Sequence, residues 1–301
     1  VTEWLVTGAG GALGSVLMRV LSEQRIAAQG IVSPEGPSPH LGKVTRADLT
    51  DLRTYRDRVF ALAPRVIVHL AGVTTVAGAY EDPERARAIN IDATAQLVAL
   101  SEALGARFVY ASTDLVFDGE GAPYDEDAAP EPGTIYGRTK LEAECYVLAY
   151  RRGLVLRFPL MYGLPDVQRA PTFFETLIAS LRSGRSVNLF EDEVRTPLWL
   201  DDAARACWRL GSSEQTGVVH LGGPERLSRF EMGQRIAQAL AADPQLLVRA
   251  RRAELQSPEP RARDVSLSSG RYHTHFAQAV GRSMQQALPL ALLHAPSRLL
   301  S

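Results

Sequence analysis

Two kinds of apolar pattern alternate through the first half of the chain. Short apolar runs occupy residues 4–7, 26–32, 44–47, 66–70, 107–112 and 154–158. The later ones lack polar alternation, which predicts strands covered on both faces of a parallel sheet. Between the runs, apolar residues recur at helical spacing over 12–23 (Leu13, Val16, Leu17, Val20, Leu21), 51–62, 83–104 and 136–150. Asp51 is suited to cap the second of these helices. The alternation predicts an α/β chain with a doubly wound parallel sheet and ligands at the carboxyl ends of its strands.

After Gly163 the rhythm changes. Helical patterns at 172–181, 201–210 and 230–240 are separated by short strands and longer polar loops. This predicts a main domain over 1–162 and a smaller, mostly substrate-binding domain over 163–301. Part of the segment near 200–221, above all 217–221, is expected to return to the main sheet.

Composition narrows the class. Lys and Arg number 33 against 34 Asp and Glu, a balance that gives no large field for nucleic acid or anionic lipid. No apolar stretch approaches the ~18 residues that span a bilayer. Strand-like residues begin almost at Val1, so no signal or transit segment is expected and the cytoplasm is the default compartment. Cys145 and Cys207 have neither metal-ligand nor disulfide spacing and are expected to be small apolar fillers. Oligomeric state has no signature here.

The first strand runs into Thr7-Gly8-Ala9-Gly10-Gly11-Ala12-Leu13-Gly14, with a helix starting inside it. Glycines at 8, 11 and 14 allow a tight turn and bring a pyrophosphate close to the helix N-terminus, whose free N–H groups and dipole favour anions. A Rossmann-type dinucleotide site follows. The acidic residue that would hold the adenosine ribose of NAD is missing at the end of the second strand, which reads Gly30-Ile31-Val32-Ser33. Ser33, with Lys43 or Arg46 folding back, suits a 2′-phosphate instead, so NADP(H) is favoured over NAD(H).

Tyr136 and Lys140 stand four apart near the start of a predicted helix and therefore share a face. Carbonyl reduction needs a proton donor at oxygen while hydride reaches carbon, and a phenol of pKa ~10 is too weak near neutrality. Moving it by about 3 units requires ~4 kcal/mol. A unit positive charge ~4 Å away, at an effective dielectric near 20, supplies about that much. Lys140 is thus expected to draw Tyr136 downward. Both follow Tyr110-Ala111-Ser112-Thr113-Asp114, whose hydroxyls reach the same strand-end crevice.

At these motifs the chain resembles the extended short-chain dehydrogenase/reductase superfamily: the glycine turn, Asp48-Leu49, His69-Leu70-Ala71-Gly72, Asn90, Thr113, and Tyr136 with Lys140. Within it, residues 112–119, Arg195-Thr196-Pro197 and Arg261-Ala262-Arg263-Asp264 are similar to stretches of dTDP-4-dehydrorhamnose reductases. The methionine adenosyltransferase regulatory β subunit shares much of the pattern. The resemblance implies a pyrophosphate over Gly8, Gly11, Ala12, Leu13 and Gly14, and adenine between Asp48 and Leu49. It places Leu70, Ala71 and Gly72 along the path to the nicotinamide ribose. Tyr136 would protonate the C4 oxygen of a nucleotide-linked keto-sugar, Thr113 would bond that oxygen, and Lys140 would hold the ribose and tune Tyr136. Two departures are Leu115, where the reductases carry tyrosine, and Ala262, where proline is common.

Other residues have competing structural and functional readings. Asn90 would anchor a loop or water near the cofactor, or act as a polar cap. Asp114 would assist at the substrate, or cap a loop. His69 reads as a packed histidine. Arg195, Arg261 and Arg263 would hold a diphosphate through bidentate contacts, or be solvated. The acidic stretch 120–131 reads as a solvated loop, not a metal site. A reductase of a nucleotide-activated 4-keto-6-deoxysugar is the leading reading. A sugar-nucleotide epimerase and a non-catalytic NADP-binding regulatory subunit are the alternatives. Dehydration is disfavoured, because related dehydratases place a glutamate where Leu115 stands and leucine moves no proton.

Overall fold

The computed structural model describes residues 3–293; residues 1–2 and the end of the expected second domain, 294–301, lie outside them. Seven parallel strands form the central sheet: β1 (Trp4–Thr7), β2 (Ala28–Val32), β3 (Lys43–Arg46), β4 (Val66–His69), β5 (Arg107–Thr113), β6 (Gly153–Phe158) and, much later, β11 (Gly217–His220). Their spatial order is β11-β6-β5-β4-β1-β2-β3. The order reverses between β1 and β4, where loops on opposite faces separate and leave a crevice for a ligand.

The helices covering the sheet are α1 (Ala12–Glu23), α2 (Arg56–Leu62), α3 (Val76–Glu81), α4 (Pro83–Arg87), α5 (Ala93–Leu104) and α6 (Ile135–Ala149). The later chain supplies α7 (Phe173–Arg182), α8 (Leu200–Gly211), α9 (Arg229–Ala239), α10 (Gly270–Phe276) and α11 (Met284–Leu293). Strand residues such as Leu5, Val6, Ile67, Val68, Phe108 and Val109 are wholly buried because both faces are covered. On one face, Val16, Leu17, Val20 and Leu21 of α1 join Ala203, Cys207 and Leu210 of α8. On the other, Val59, Leu97 and Val147 of α2, α5 and α6 close the core.

The remaining strands are short pairs. β7 (Met161–Tyr162) runs beside β10 (Leu198–Trp199), β9 (Val194–Arg195) beside β12 (Leu227–Ser228), and β8 (Val187–Phe190) beside β13 (Leu247–Ala250). A separate core of Phe174, Ile178, Leu189, Met232, Ile236 and Leu288 holds α7, α9 and α11 against β8. Among the described residues, no helix is long and apolar enough to cross a membrane.

Several elements differ from expectation. β2 starts at Ala28, two residues later than the apolar run. The Asp51 side chain caps a 3₁₀ turn, Leu52–Thr54, and α2 begins only at Arg56. The helix expected over 83–104 contains a π-turn at Ala88–Asp92, where Asn90 sits. α3, capped by Thr75, has no counterpart in the sequence pattern; its six residues are too few for a helical period to stand out.

Candidate active site

A cleft of about 970 Å³ opens along the carboxyl ends of the strands, the upper range of small-molecule sites. One end is built on the glycine turn. Gly8 has φ +68°, and a Cβ there would lie 2.6 Å from the Ala71 amide nitrogen. A Cβ at Gly14 would lie 2.1 Å from the Gly8 carbonyl oxygen. Gly11 is the N-cap of α1 and provides no capping side chain, so the first-turn amides and the helix dipole face the cleft without a side-chain competitor. Ala12, Leu13 and Gly14 line it there. Gly10, not singled out by spacing, carries the loop 33–38 across the turn: a Cβ on it would meet Pro37 O at 2.0 Å.

Ser33, exposed, lines the cleft just past β2, and Ala47, Asp48 and Leu49 line it past β3. Arg46 does fold back, donating to the carbonyl oxygens of Pro34 (2.7 Å) and Gly36 (2.8 Å). Lys43 is exposed and forms no part of the wall. Asp48 accepts from the Thr50 amide and hydroxyl, which fixes the turn after the strand.

Leu70, Ala71 and Gly72 line the next stretch. Asn90 lies behind it, 1% exposed and outside the cleft wall. Its Oδ1 accepts from Val73 N at 2.9 Å, and its Nδ2 donates to Val73 O and Thr139 Oγ1. Asn90 is thus a loop anchor that couples the Gly72 turn to α6. His69 is a packed histidine, bonded to Thr7 Oγ1 at 2.6 Å and Thr94 Oγ1 at 3.0 Å. Burial, aided by Lys140, pushes its pKa down to about 3.

Thr113, Tyr136 and Lys140 line the middle of the cleft. Thr113 ends β5, and its hydroxyl donates to Asp114 Oδ1 (3.1 Å) and accepts from Leu115 N (3.2 Å). Thr134 caps α6 by accepting from Gly137 N, which sets Tyr136 and Lys140 on the first turns. Lys140 Nζ lies 4.1 Å from the Tyr110 ring centroid. Burial pushes Tyr136 up to about 12, opposed by a hydrogen bond with Thr113. Burial also pushes Lys140 down to about 7, opposed by Glu144 one turn on. The expected downward pull of Lys140 on Tyr136 is therefore corrected. Both groups are buried, and for each the loss of water outweighs the interaction that opposes it.

At the far end Asp114 Oδ2 lies 3.7 Å from Arg195 Nε, and burial raises this carboxyl to about 6. Glu193, 1% exposed, gathers three guanidiniums: Arg195 at 3.4 Å, Arg229 at 2.9 Å and Arg261 at 2.7 Å. All five residues line the cleft. Arg263 does not; it faces Glu120 at 3.4 Å on the surface. Glu193, Arg229, Arg169 and Glu259, also in the wall, were missed by sequence reasoning. Arg229 opens α9 and the other three come from separate loops, and no spacing links them.

Two smaller expectations also change. Glu126, inside the acidic stretch, is buried and accepts from the amides of His220 and Arg271, so that stretch is not wholly solvated. No metal-binding cluster occurs among the described residues. Cys207 is a buried filler, but Cys145 is exposed because it faces outward on α6.

The chain matches the family model described as the RmlD substrate binding domain over residues 2–295. It is 32% identical over 243 residues to methionine adenosyltransferase 2 subunit beta of Bos taurus, covering 78% of this chain and 71% of the relative. It is 31% identical over 272 residues to the probable low-salt glycan biosynthesis reductase Agl14 of Haloferax volcanii, covering 88% and 90%. A hypothetical dTDP-4-dehydrorhamnose reductase from Sulfolobus tokodaii superposes with TM-score 0.82 at 29% identity, over 93% of this chain and 97% of that one. The fold is shared with dTDP-4-dehydrorhamnose reductase of Bacillus anthracis in complex with NADP (TM-score 0.86, 21% identity, 98% and 99% covered). MoeE5 in complex with UDP-glucose and NAD is similar at TM-score 0.82 and 25% identity, with 99% and 100% covered. A full-length family match, two relatives above 30% identity and a common fold agree: the chain belongs to the RmlD substrate binding domain family.

Proposed function

We propose that this protein reduces a nucleotide-activated 4-keto-6-deoxysugar and takes NADPH in preference to NADH. The observation that carries the reading is the meeting of Thr113, Tyr136 and Lys140 with the Gly8–Gly14 turn in one cleft. The turn fits a dinucleotide pyrophosphate, since Gly8 and Gly14 leave no room for a Cβ and the helix behind them is uncapped. Reduced nicotinamide, held along Leu70, Ala71 and Gly72, would supply the hydride for C4 of the sugar. The Tyr136 phenol, protonated across the neutral range, gives its proton to the C4 oxygen, so one hydride and one proton complete the alcohol. Thr113 orients that oxygen, and the Lys140 ammonium holds ribose hydroxyls and offsets the phenolate until solvent reprotonates it. Asp114 and Arg195 border the sugar, and Arg261 with Arg229 faces its diphosphate. Ser33 beside the folded-back Arg46 supports NADPH through room for a 2′-phosphate. The reductase Agl14 and the Sulfolobus tokodaii protein support the reaction class.

The test is NADPH and NADH consumption with a panel of nucleotide 4-keto-6-deoxysugars. Turnover with at least one sugar, faster with NADPH, is expected; none with any sugar overturns the reading. A second reading rests on the likeness to methionine adenosyltransferase 2 subunit beta: the chain binds NADP(H) as the companion of another enzyme. Co-purification with a methionine adenosyltransferase, without turnover, is its signature.

A further inference from the structure

Glu259 belongs to the loop that closes the far side of the cleft, and its side chain is only 6% exposed. One carboxylate oxygen is engaged by the fold, since Oε1 accepts from the Ile135 amide at 2.6 Å. Ile135 is the first residue of α6, so this bond satisfies an amide that no residue within the helix can reach. The other oxygen, Oε2, is buried and has no hydrogen-bond partner among the described residues. Arg138 Nη2 approaches Oε1 of the same carboxylate at 3.8 Å. A buried acceptor left unpaired is costly, and more so for a charged group. A helix cap alone does not require that cost, because an amide side chain would make the same bond to Ile135.

A second orphan points to the same cleft. Asp114 Oδ2 is also buried without a hydrogen-bond partner. Asp114 follows Thr113, and Glu259 holds the residue before Tyr136. A Glu259 oxygen without a hydrogen bond, and an Asp114 oxygen met only by Arg195 Nε at 3.7 Å, thus line the same cleft as the hydroxyl and the phenol assigned to the reacting carbonyl. Carboxylates accept and cannot donate when ionised, so the matching ligand group is a donor. On a sugar ring next to a ketone, that donor is a hydroxyl.

We propose that Glu259 is a specificity-determining residue of this cleft: Oε2 accepts a hydrogen bond from a sugar-ring hydroxyl while Oε1 holds the N-terminus of the helix that carries Tyr136. The proposal rests on the keto-sugar reading above. It unites hydroxyl recognition and placement of the proton donor in one side chain. Sites built to bond a hydroxyl reject analogues lacking it far more strongly than apolar pockets discriminate by size.

Glu259→Gln tests it, because glutamine keeps an acceptor for Ile135 N and replaces the free oxygen with an NH2 group. The substrates are dTDP-4-keto-6-deoxyglucose and its 2-deoxy and 3-deoxy counterparts, each with NADPH. The variant should melt within a few degrees of the parent protein, raise KM for the full sugar about 10-fold or more, and leave kcat and NADPH affinity nearly unchanged. With one of the two deoxy sugars, parent and variant should bind alike. Unchanged KM, or an equal effect on all three sugars, overturns the proposal and leaves Glu259 a helix cap. Glu259→Ala, which loses the cap too, should lower kcat as well; if it matches Glu259→Gln in both constants, the dual role is wrong. If no sugar is reduced, calorimetric titration of the NADPH complex with dTDP-glucose separates the cases. Binding weakened about 10-fold by Glu259→Gln keeps the hydroxyl contact and discards the reductase. No binding to the parent protein discards both.

Discussion

Lys140 and Tyr110 form a cation–π pair, with the ammonium nitrogen 4.1 Å from the ring centroid of a tyrosine that is wholly buried in β5. The lysine reaches the cleft across an aromatic floor, with little water around it. That placement explains why its pKa falls to about 7, since an ammonium loses more by desolvation than one aromatic face returns.

This shift makes stability depend on pH. In the unfolded chain Lys140 titrates near 10.5, and in the folded chain near 7. Between those values the unfolded state binds the extra proton, so stability rises with pH and the gain is lost as pH falls towards 7. Without cofactor, the slope from this residue should approach ~1.4 kcal/mol per pH unit between about pH 7.5 and 9. Lys140→Met should remove it, raise the melting temperature at pH 7 and abolish turnover. A variant with the parent slope in pH-dependent thermal melts would show that the ammonium is not desolvated.

Tyr136→Phe removes a buried phenol whose proton the proposed reaction consumes. kcat should fall by about 100- to 10,000-fold, with NADPH affinity and melting temperature close to the parent values. Full activity in a stopped assay with an accepted keto-sugar would exclude Tyr136 as the acid.

The glycine turn gives a paired comparison. A methyl at Gly14 would lie 2.1 Å from the Gly8 carbonyl, whereas at Gly11 the one near atom is 3.1 Å away. Gly14→Ala should therefore cost about 1–3 kcal/mol of stability in denaturant unfolding. Gly11→Val should fold nearly normally but lose NADPH binding, because its branches project towards the uncapped amides. Undiminished binding by Gly11→Val would refute the placement of the pyrophosphate.

Glu193 is the common counter-ion of Arg195, Arg229 and Arg261. Glu193→Gln leaves their charges facing one another around a buried position, and breaking a buried ion pair typically costs about 3–5 kcal/mol, less here for the partly exposed Arg261. A melting temperature within about 2 °C of the parent value, on the order of 0.5 kcal/mol, would mean that the three arginines do not depend on it.

The sheet was readable in the sequence because β1, β4, β5 and β6 are apolar on both faces. The glycine turn was readable because its spacing is local. Tyr136 and Lys140 were readable together for the same reason, being one helical turn apart. The shell around Glu193 was not: Arg261 reaches it from 68 positions away, through loops without a period. Glu259 and Ile135 are 124 positions apart, and a glutamate in a proline-rich loop carries no local sign of a helix to cap. The electrostatics of Tyr136 were misjudged because the balance between a neighbour's charge and lost hydration depends on burial, which residue spacing does not report.

The late arrival of β11 has a consequence for biosynthesis. β6 receives its outer neighbour, and α1 its covering helix α8, only from residues 200–220. A nascent chain ending near residue 162 would present an open strand edge and an apolar helix flank, both prone to sticking to other chains. Assembly of the strand-end crevice is thereby tied to completion of the later chain, and fragments cut at that point should aggregate rather than fold.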